Sequence, residues 1–247
     1  MPTLAVIGIT GRMGQSLLRA LREFPALSLS GAVASPASTR LGLDAMQGGE
    51  PCGILVTSDL GRGLQGAAVA VDFSVGNAVA ANARACALAR VPLLVGATGF
   101  NAAVRGVVES AAKQIPVLIA PNTSIGVSVA ARLASLAASS LGSSFDVDIV
   151  EAHHRSKRDA PSGTALALGE AIAQARGQPP GSINISSLRA GDIVGEHTVI
   201  FAGAGERLEI THRATDRGTF ARGALRAAEW LVGRPAGLYG MRDVLGL

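Results

Sequence analysis

Residues 3–9, Thr-Leu-Ala-Val-Ile-Gly-Ile, form a short apolar run without alternation. That is the pattern of a strand buried on both faces of a parallel sheet. A glycine-rich turn follows, and Leu17, Leu18 and Leu21 then recur at helical spacing through residues 15–23. Further short apolar runs at 27–33, 69–73, 91–95 and 117–119 predict buried strands, with helical stretches at about 77–90 and 101–114 between them. Strands alternating with helices build a parallel, doubly wound sheet with right-handed crossovers.

The pattern changes after Pro121. An Ala/Leu-rich stretch at about 126–141 predicts a helix. Arg132 and several serines interrupt it, so it reads as a buried helix, because a membrane span needs about 20 predominantly apolar residues. Residues 146–151 alternate apolar and polar, as a half-exposed strand does, and a helix is expected at about 163–176. Alternating strands of an antiparallel kind follow at 197–202 and 206–214, then a last helix at about 217–232. A domain boundary therefore falls near residue 122, ahead of a mixed α/β second domain. The stretch 177–181, Gly-Gln-Pro-Pro-Gly, reads as a surface loop.

Composition narrows the function. Hydrophobic residues make up 48% of the 247 residues, enough for a sizeable core, but aromatics are only 3%. The net charge of +4 is dispersed, and the aromatic platforms that single-stranded nucleic acids stack on are scarce, which argues against nucleic acid as a partner. The basic balance suits anionic small molecules instead. Neither Cys52 nor Cys86 belongs to a CxxC pair, and no Cys/His set has zinc spacing, so no metal is expected. A reducing, cytoplasmic setting fits. The apolar start lacks a basic leader and reaches Gly11 and Arg12 quickly, so it reads as a strand, not a signal peptide, and no membrane partner is expected.

Two segments carry chemistry. Gly8, Gly11 and Gly14 follow the first strand and open the first helix. A turn without Cβ atoms lets backbone N–H groups approach a pyrophosphate, and the helix start adds partial positive charge. Arg12 lies inside this turn, within reach of a phosphate or an adenine. The second strand ends without the acid that accepts bonds from a ribose 2′-hydroxyl. Ser35 stands there, with Ser38, Thr39 and Arg40 after it. Hydroxyls and a guanidinium suit a 2′-phosphate, so NADPH is preferred over NADH in this reading. The second segment is 151–164, Glu-Ala-His-His-Arg-Ser-Lys-Arg-Asp-Ala-Pro-Ser-Gly-Thr. Packing His153, His154, Arg155, Lys157 and Arg158 together is repulsive, and an anion site gives reason for it. Ser162 and Thr164 offer hydroxyls at the start of a helix whose free N–H groups suit a carboxylate. His197 and His212, on alternating strands, read as packing or solvent-facing residues. No G-x-S-x-G elbow is present.

With these segments in view, the chain resembles the dihydrodipicolinate reductase family, also called 4-hydroxy-tetrahydrodipicolinate reductase. The matching pieces are GITGRMG (8–14), VDFS (71–74), VGATGF (95–100), APNTSIGV (120–127), EAHHRSKRDAPSGTA (151–165), RAGDIVGEHT (189–198), ERLEITH (206–212) and GLYGMRDVL (237–245). They cover nearly the whole chain in order, and the 151–165 piece is the most specific.

The resemblance implies an N-terminal Rossmann-like, dinucleotide-binding domain of residues 1–122 and about 224–247. It also implies a smaller α+β domain, about 123–223, for substrate binding and oligomerisation, with a mixed or antiparallel sheet. Gly8, Ile9, Thr10, Gly11, Arg12 and Met13 would hold the cofactor pyrophosphate, with Ser35 near the ribose. Gly96, Ala97 and Thr98, then Ala120, Pro121, Asn122 and Thr123, would contact the nicotinamide side. His153 looks like the family's acid/base and Lys157 like its proton donor. His154, Ser162, Gly163 and Thr164 would bind the carboxylates of a small dicarboxylate. The implied reaction is NADPH- or NADH-dependent reduction of 4-hydroxy-tetrahydrodipicolinate in lysine and diaminopimelate biosynthesis, by a cytoplasmic homotetramer. Two departures stand out: Ser35 replaces the acid that the family often has, and only residues 177–188 occupy a region usually longer and richer in glycine. Two other readings share the nucleotide turn: another two-domain dehydrogenase of amino-acid type, and an NADP-sensing protein without turnover.

Overall fold

The computed structural model describes residues 1–247. In chain order the elements are β1 (Thr3–Ile7), α1 (Arg12–Leu21), β2 (Ser28–Val33), β3 (Val56–Thr57), α2 (Leu60–Leu64), β4 (Val69–Asp72), α3 (Val79–Ala89), β5 (Leu93–Val95), α4 (Ala102–Ala112) and β6 (Pro116–Ile119). Then come α5 (Ile125–Leu141), β7 (Asp146–His153), α6 (Gly163–Ala175), β8 (Asn184–Arg189), β9 (Gly195–Gly203) and β10 (Glu206–Ala214). The chain closes with α7 (Gly218–Leu231), β11 (Gly237–Tyr239) and α8 (Met241–Leu245). Two compact units result: Met1–Ser124 with Gly218–Gly246, and Ile125–Arg217.

The first unit holds a parallel seven-stranded sheet in the order β11-β6-β5-β4-β1-β2-β3. Its strands are short apolar runs because helices pack on both faces. Val69 to Val71 of β4 and Leu93 to Val95 of β5 are fully buried. α3 and α4 pack together against one face, while α7 packs on α1, β4, β5 and β6. The strand order reverses between β1 and β4, which is where ligands sit in open α/β sheets. The doubly wound sheet predicted by the alternation is therefore present. The two-residue β3, the five-residue α2 and the β11–α8 ending are too short to leave a periodic signal.

The second unit holds a mixed four-stranded sheet, β10-β9-β7-β8. β7 pairs antiparallel with β9 and parallel with β8. Its core joins Ala134 and Ala138 of α5, Leu168 and Ile172 of α6, and Ile149, Val199 and Phe201 of the sheet.

One strand was not foreseen, and one expectation needs correction. Residues 184–189, just beyond the 177–181 loop, form β8. Four of the six β8 side chains are exposed and only Ile185 and Leu188 are apolar, so the strand shows no apolar pattern. Its place comes from main-chain pairing with β7. The 126–141 stretch is helical as expected, but it is not a buried helix. Only Ala130, Ala134 and Ala138 are buried along α5, while Leu133 and Leu136 are exposed. By length and composition alone, 125–144 matches a membrane span. In this unit it lays one line of small residues on the sheet, a contact that near-uniform apolarity hides.

Candidate active site

The expected nucleotide residues gather at the carboxyl edge of the seven-stranded sheet. Gly8, Ile9 and Thr10 leave β1, and Gly11 is the N-cap of α1 without any side-chain cap. The first-turn N–H groups of α1, on Arg12 and Met13, are thus left for an anion. The turn is compact: the Gly8 and Ile9 N–H groups both donate to the Val33 carbonyl. Gly8 has φ +84°, and a Cβ there would lie 2.6 Å from the Phe73 carbonyl oxygen. A Cβ at Gly14 would lie 2.5 Å from the Gly8 carbonyl oxygen. Backbone packed this closely leaves no room for side chains under a pyrophosphate, so the turn fits a dinucleotide. Gln15 braces it by donating to the Ile9 and Ala45 carbonyls.

Gly96, Ala97 and Thr98 follow β5, and the Gly96 and Ala97 N–H groups donate to the Asp72 carbonyl. Ala120, Pro121, Asn122 and Thr123 follow β6, next along the same edge. Thr123 is buried and its hydroxyl donates to the Phe220 carbonyl at 2.6 Å, so its side chain anchors α7. Ser35 lies exposed past β2, and Arg40 in the loop beyond donates to the Asp44 carbonyl. Sequence reasoning missed Asp72. Its buried carboxylate accepts from the Ser74 N–H and from Asn82 Nδ2, both at 2.8 Å. Burial raises its pKa, and the bonds from Ser74 and Asn82 partly offset that rise. It holds the 73–76 turn against Gly8.

The second unit gathers the other set. His153 ends β7, His154 and Lys157 lie in the loop that follows, and Ser162 is the N-cap of α6. Gly163 and Thr164 form the first helical turn. Lys157 Nζ donates to both Asp159 carboxylate oxygens, at 2.9 and 2.8 Å. His154 Nδ1 lies 2.8 Å from Ser156 Oγ. Ser162 Oγ accepts from the Ala165 N–H at 3.1 Å and also contacts His197 Nε2 at 3.1 Å. That hydroxyl therefore works inside the protein, at the N-cap of α6 and against His197.

Three residues to which the sequence reading gave no site role complete this cluster. Glu151 lies 2.5 Å from His153 Nδ1, and Arg189 binds Glu151 at 2.7 Å. His197 packs edge-on against His153, ring centroids 5.2 Å apart. His197 was expected to be a packing or solvent-facing residue. It is buried, and it packs inside the candidate site. Glu151 pairs with His197 and His153 with Arg189 in the sheet register. The only linear signal was the two-residue spacing of Glu151 and His153, which puts both on one face of a strand.

Electrostatics follow from burial. Desolvation pulls the His153 pKa below its ordinary value against the opposing pull of Glu151. Desolvation, helped by His153, takes His197 down to about 4, so it is neutral at pH 7. Asp159 lies below the usual carboxylate range, chiefly through its bond from Lys157.

A dinucleotide-type turn on one unit and a cluster of titratable side chains on the other suit a two-domain, nicotinamide-dependent oxidoreductase. The family model described as "Dihydrodipicolinate reductase, N-terminus" matches residues 3–123, and that described as "Dihydrodipicolinate reductase, C-terminus" matches residues 126–245. The chain belongs to the dihydrodipicolinate reductase family. It is 49% identical to the 4-hydroxy-tetrahydrodipicolinate reductase of Anaeromyxobacter dehalogenans (strain 2CP-1 / ATCC BAA-258), over 100% of this chain and 98% of that one. It is 46% identical to the protein of the same name from Thiobacillus denitrificans, over 99% and 98%. Among solved structures, dipicolinate-bound dihydrodipicolinate reductase from Paenisporosarcina sp. TG-14 has the same fold, with a TM-score of 0.81 at 23% identity over 98% of this chain and 99% of that one.

Proposed function

We propose that this chain catalyses loss of water from, and NAD(P)H-dependent reduction of, 4-hydroxy-2,3,4,5-tetrahydrodipicolinate, giving tetrahydrodipicolinate for lysine and diaminopimelate synthesis. The observation that carries this reading is the 153–164 stretch: a buried imidazole, an ammonium and a Ser-capped helix start within a dozen residues, in a chain of this family.

Gly8, Ile9, Thr10, Gly11, Arg12 and Met13 would hold the cofactor pyrophosphate, and Gly96–Thr98 and Ala120–Thr123 would contact its nicotinamide side. The bound nicotinamide supplies the hydride. His154, Gly163 and Thr164 receive the substrate carboxylates at the start of α6, and Ser162, as its N-cap, holds that helix start in place. Hydride addition to the conjugated C=C–C=N system drives electrons toward the ring nitrogen, so a proton must be delivered. His153 acts as the acid/base and Lys157 as the proton donor, and the cations around them stabilise charge that develops in the transition state.

NADPH is the preferred cofactor. Support comes from Ser35, Ser38, Thr39 and Arg40 after β2, with no carboxylate at the strand's end. The working form is a cytoplasmic homotetramer assembled through the second unit. The sheet face opposite α5 and α6 exposes Val150 and Leu188, apolar positions suited to a second copy.

A coupled assay tests the activity. Pyruvate is condensed with aspartate semialdehyde, the protein is added and NADPH absorbance is followed. Rapid loss of absorbance is expected, and no loss with either cofactor sinks the reading. Equal or higher kcat/KM with NADH refutes the cofactor preference, and a monomer by light scattering refutes the tetramer.

A further inference from the structure

Glu151 is wholly buried and lies two residues before His153, on the same face of β7. Four donors converge on its carboxylate. Arg189 spans both oxygens, Nη1 to Oε2 at 2.8 Å and Nη2 to Oε1 at 2.7 Å. The Ser162 N–H donates to Oε1 at 3.1 Å, and His153 Nδ1 lies 2.5 Å from Oε2. Burial pushes its pKa up, but the bonds from Arg189 first, then Ser187, His153 and Ser162, hold it near 2. The group is therefore ionised, and an ionised carboxylate only accepts. The proton between it and His153 must sit on Nδ1. The neutral imidazole then carries its lone pair on Nε2, and protonation occurs there. Nε2 faces Gly195, where an added Cβ would lie 3.0 Å away, so any side chain there would press on that nitrogen.

We propose that Glu151 is the positioning residue of this site: it fixes His153 as the Nδ1–H tautomer, makes Nε2 the proton-handling atom, and ties that imidazole to the first turn of α6 through Ser162. One carboxylate thereby sets the distance between the proton-transfer group and the carboxylate-binding helix start. The role of His153 rests on the reading under Proposed function; its tautomer does not. The charged and titratable groups around His153 are Glu151 on its own strand, Arg189 on β8, His197 on β9, and Lys157 with its partner Asp159 in the following loop. Among them Glu151 alone raises the His153 pKa, while burial, Lys157 and Arg189 lower it.

Nitrogen-15 NMR of the imidazoles in the wild-type protein, at a pH above the His153 titration, reads the tautomer without substrate. Protonated Nδ1 and bare Nε2 are expected, and a spectrum with protonated Nε2 overturns the proposal. In Glu151→Gln the kcat is expected to fall on the order of 10²-fold at neutral pH, within the range of general acid–base contributions. The limb of the kcat–pH profile that His153→Ala removes should move to lower pH. An unchanged profile also overturns the proposal. The single variant leaves Arg189 without its counter-charge, so Glu151→Gln with Arg189→Met carries the same test if Glu151→Gln alone does not fold. Wild-type protein that shows the Nδ1–H tautomer but turns over no substrate sinks the reading of function and the proton-handling role with it, and sustains the tautomer that Glu151 fixes.

Discussion

Acidification from pH 7 toward 4 acts directly on His197 in the second unit. The residue is 5% exposed, and burial takes its pKa from 6.5 to about 4. The unfolded chain takes up this proton below about pH 6.5, and the folded chain only below about 4. Between those values the unfolded state binds more protons, so stability falls as the pH falls. The contribution is complete above pH 6.5 and lost once the pH passes about 4. At ~1.4 kcal/mol per pH unit, that window is worth about 3 kcal/mol. His153 and His212 are also lowered by burial and add to the same trend. Native-state hydrogen exchange at the amides of β7 and β9, at pH 7, 6 and 5 and corrected for intrinsic rates, reads the opening of this sheet. In His197→Gln the slope of opening free energy against pH should be shallower by roughly 1.4 kcal/mol per unit near pH 5. The test rests on the slope, so a uniform loss of stability in the variant does not disturb it. Equal slopes in variant and wild type, or protection that rises on acidification, would refute the reasoning.

Gly14→Ala places a Cβ 2.5 Å from the Gly8 carbonyl oxygen. At least a tenfold loss of NADPH affinity is expected by fluorescence titration, about 1.4 kcal/mol; wild-type affinity would show that the turn does not hold the cofactor. His153→Ala and Lys157→Ala should each lower kcat on the order of 10²-fold, with the nucleotide Kd nearly unchanged. Normal kcat in both would remove them from the proton-transfer role. Cys86 is buried and burial pushes its thiol up to about 12, whereas Cys52 is exposed. A thiol reagent at neutral pH should therefore label Cys52 rapidly and Cys86 only on unfolding, and two fast thiols would contradict this burial.

The doubly wound sheet was legible because its strands are buried on both faces and its helices follow, a pattern that repeats through the first half of the chain. The glycine turn was legible because a strand, three glycines and a helix are contiguous. His153, Lys157 and Ser162 were legible because the 151–164 stretch concentrates them. Glu151 lay within that stretch but had no role until the structure showed what surrounds it. Arg189 and His197 were not legible at all, since they lie tens of residues away and sit beside β7 only through strand pairing. The extent of α5 could be read, but not its exposure, because an almost uniformly apolar helix does not reveal which of its faces has a partner.

By itself the sequence determined the elements whose signals are local: periodic runs, a glycine-opened helix and a dense cationic segment. Only the tertiary structure decided which strands lie side by side. The register of β7 with β8 and β9 brings Arg189 and His197 to Glu151 and His153. Local patterning fixes how a segment folds and which way its side chains alternate. Strand register is set instead by main-chain hydrogen bonds and by burial against α5 and α6, which involve residues far apart in the chain.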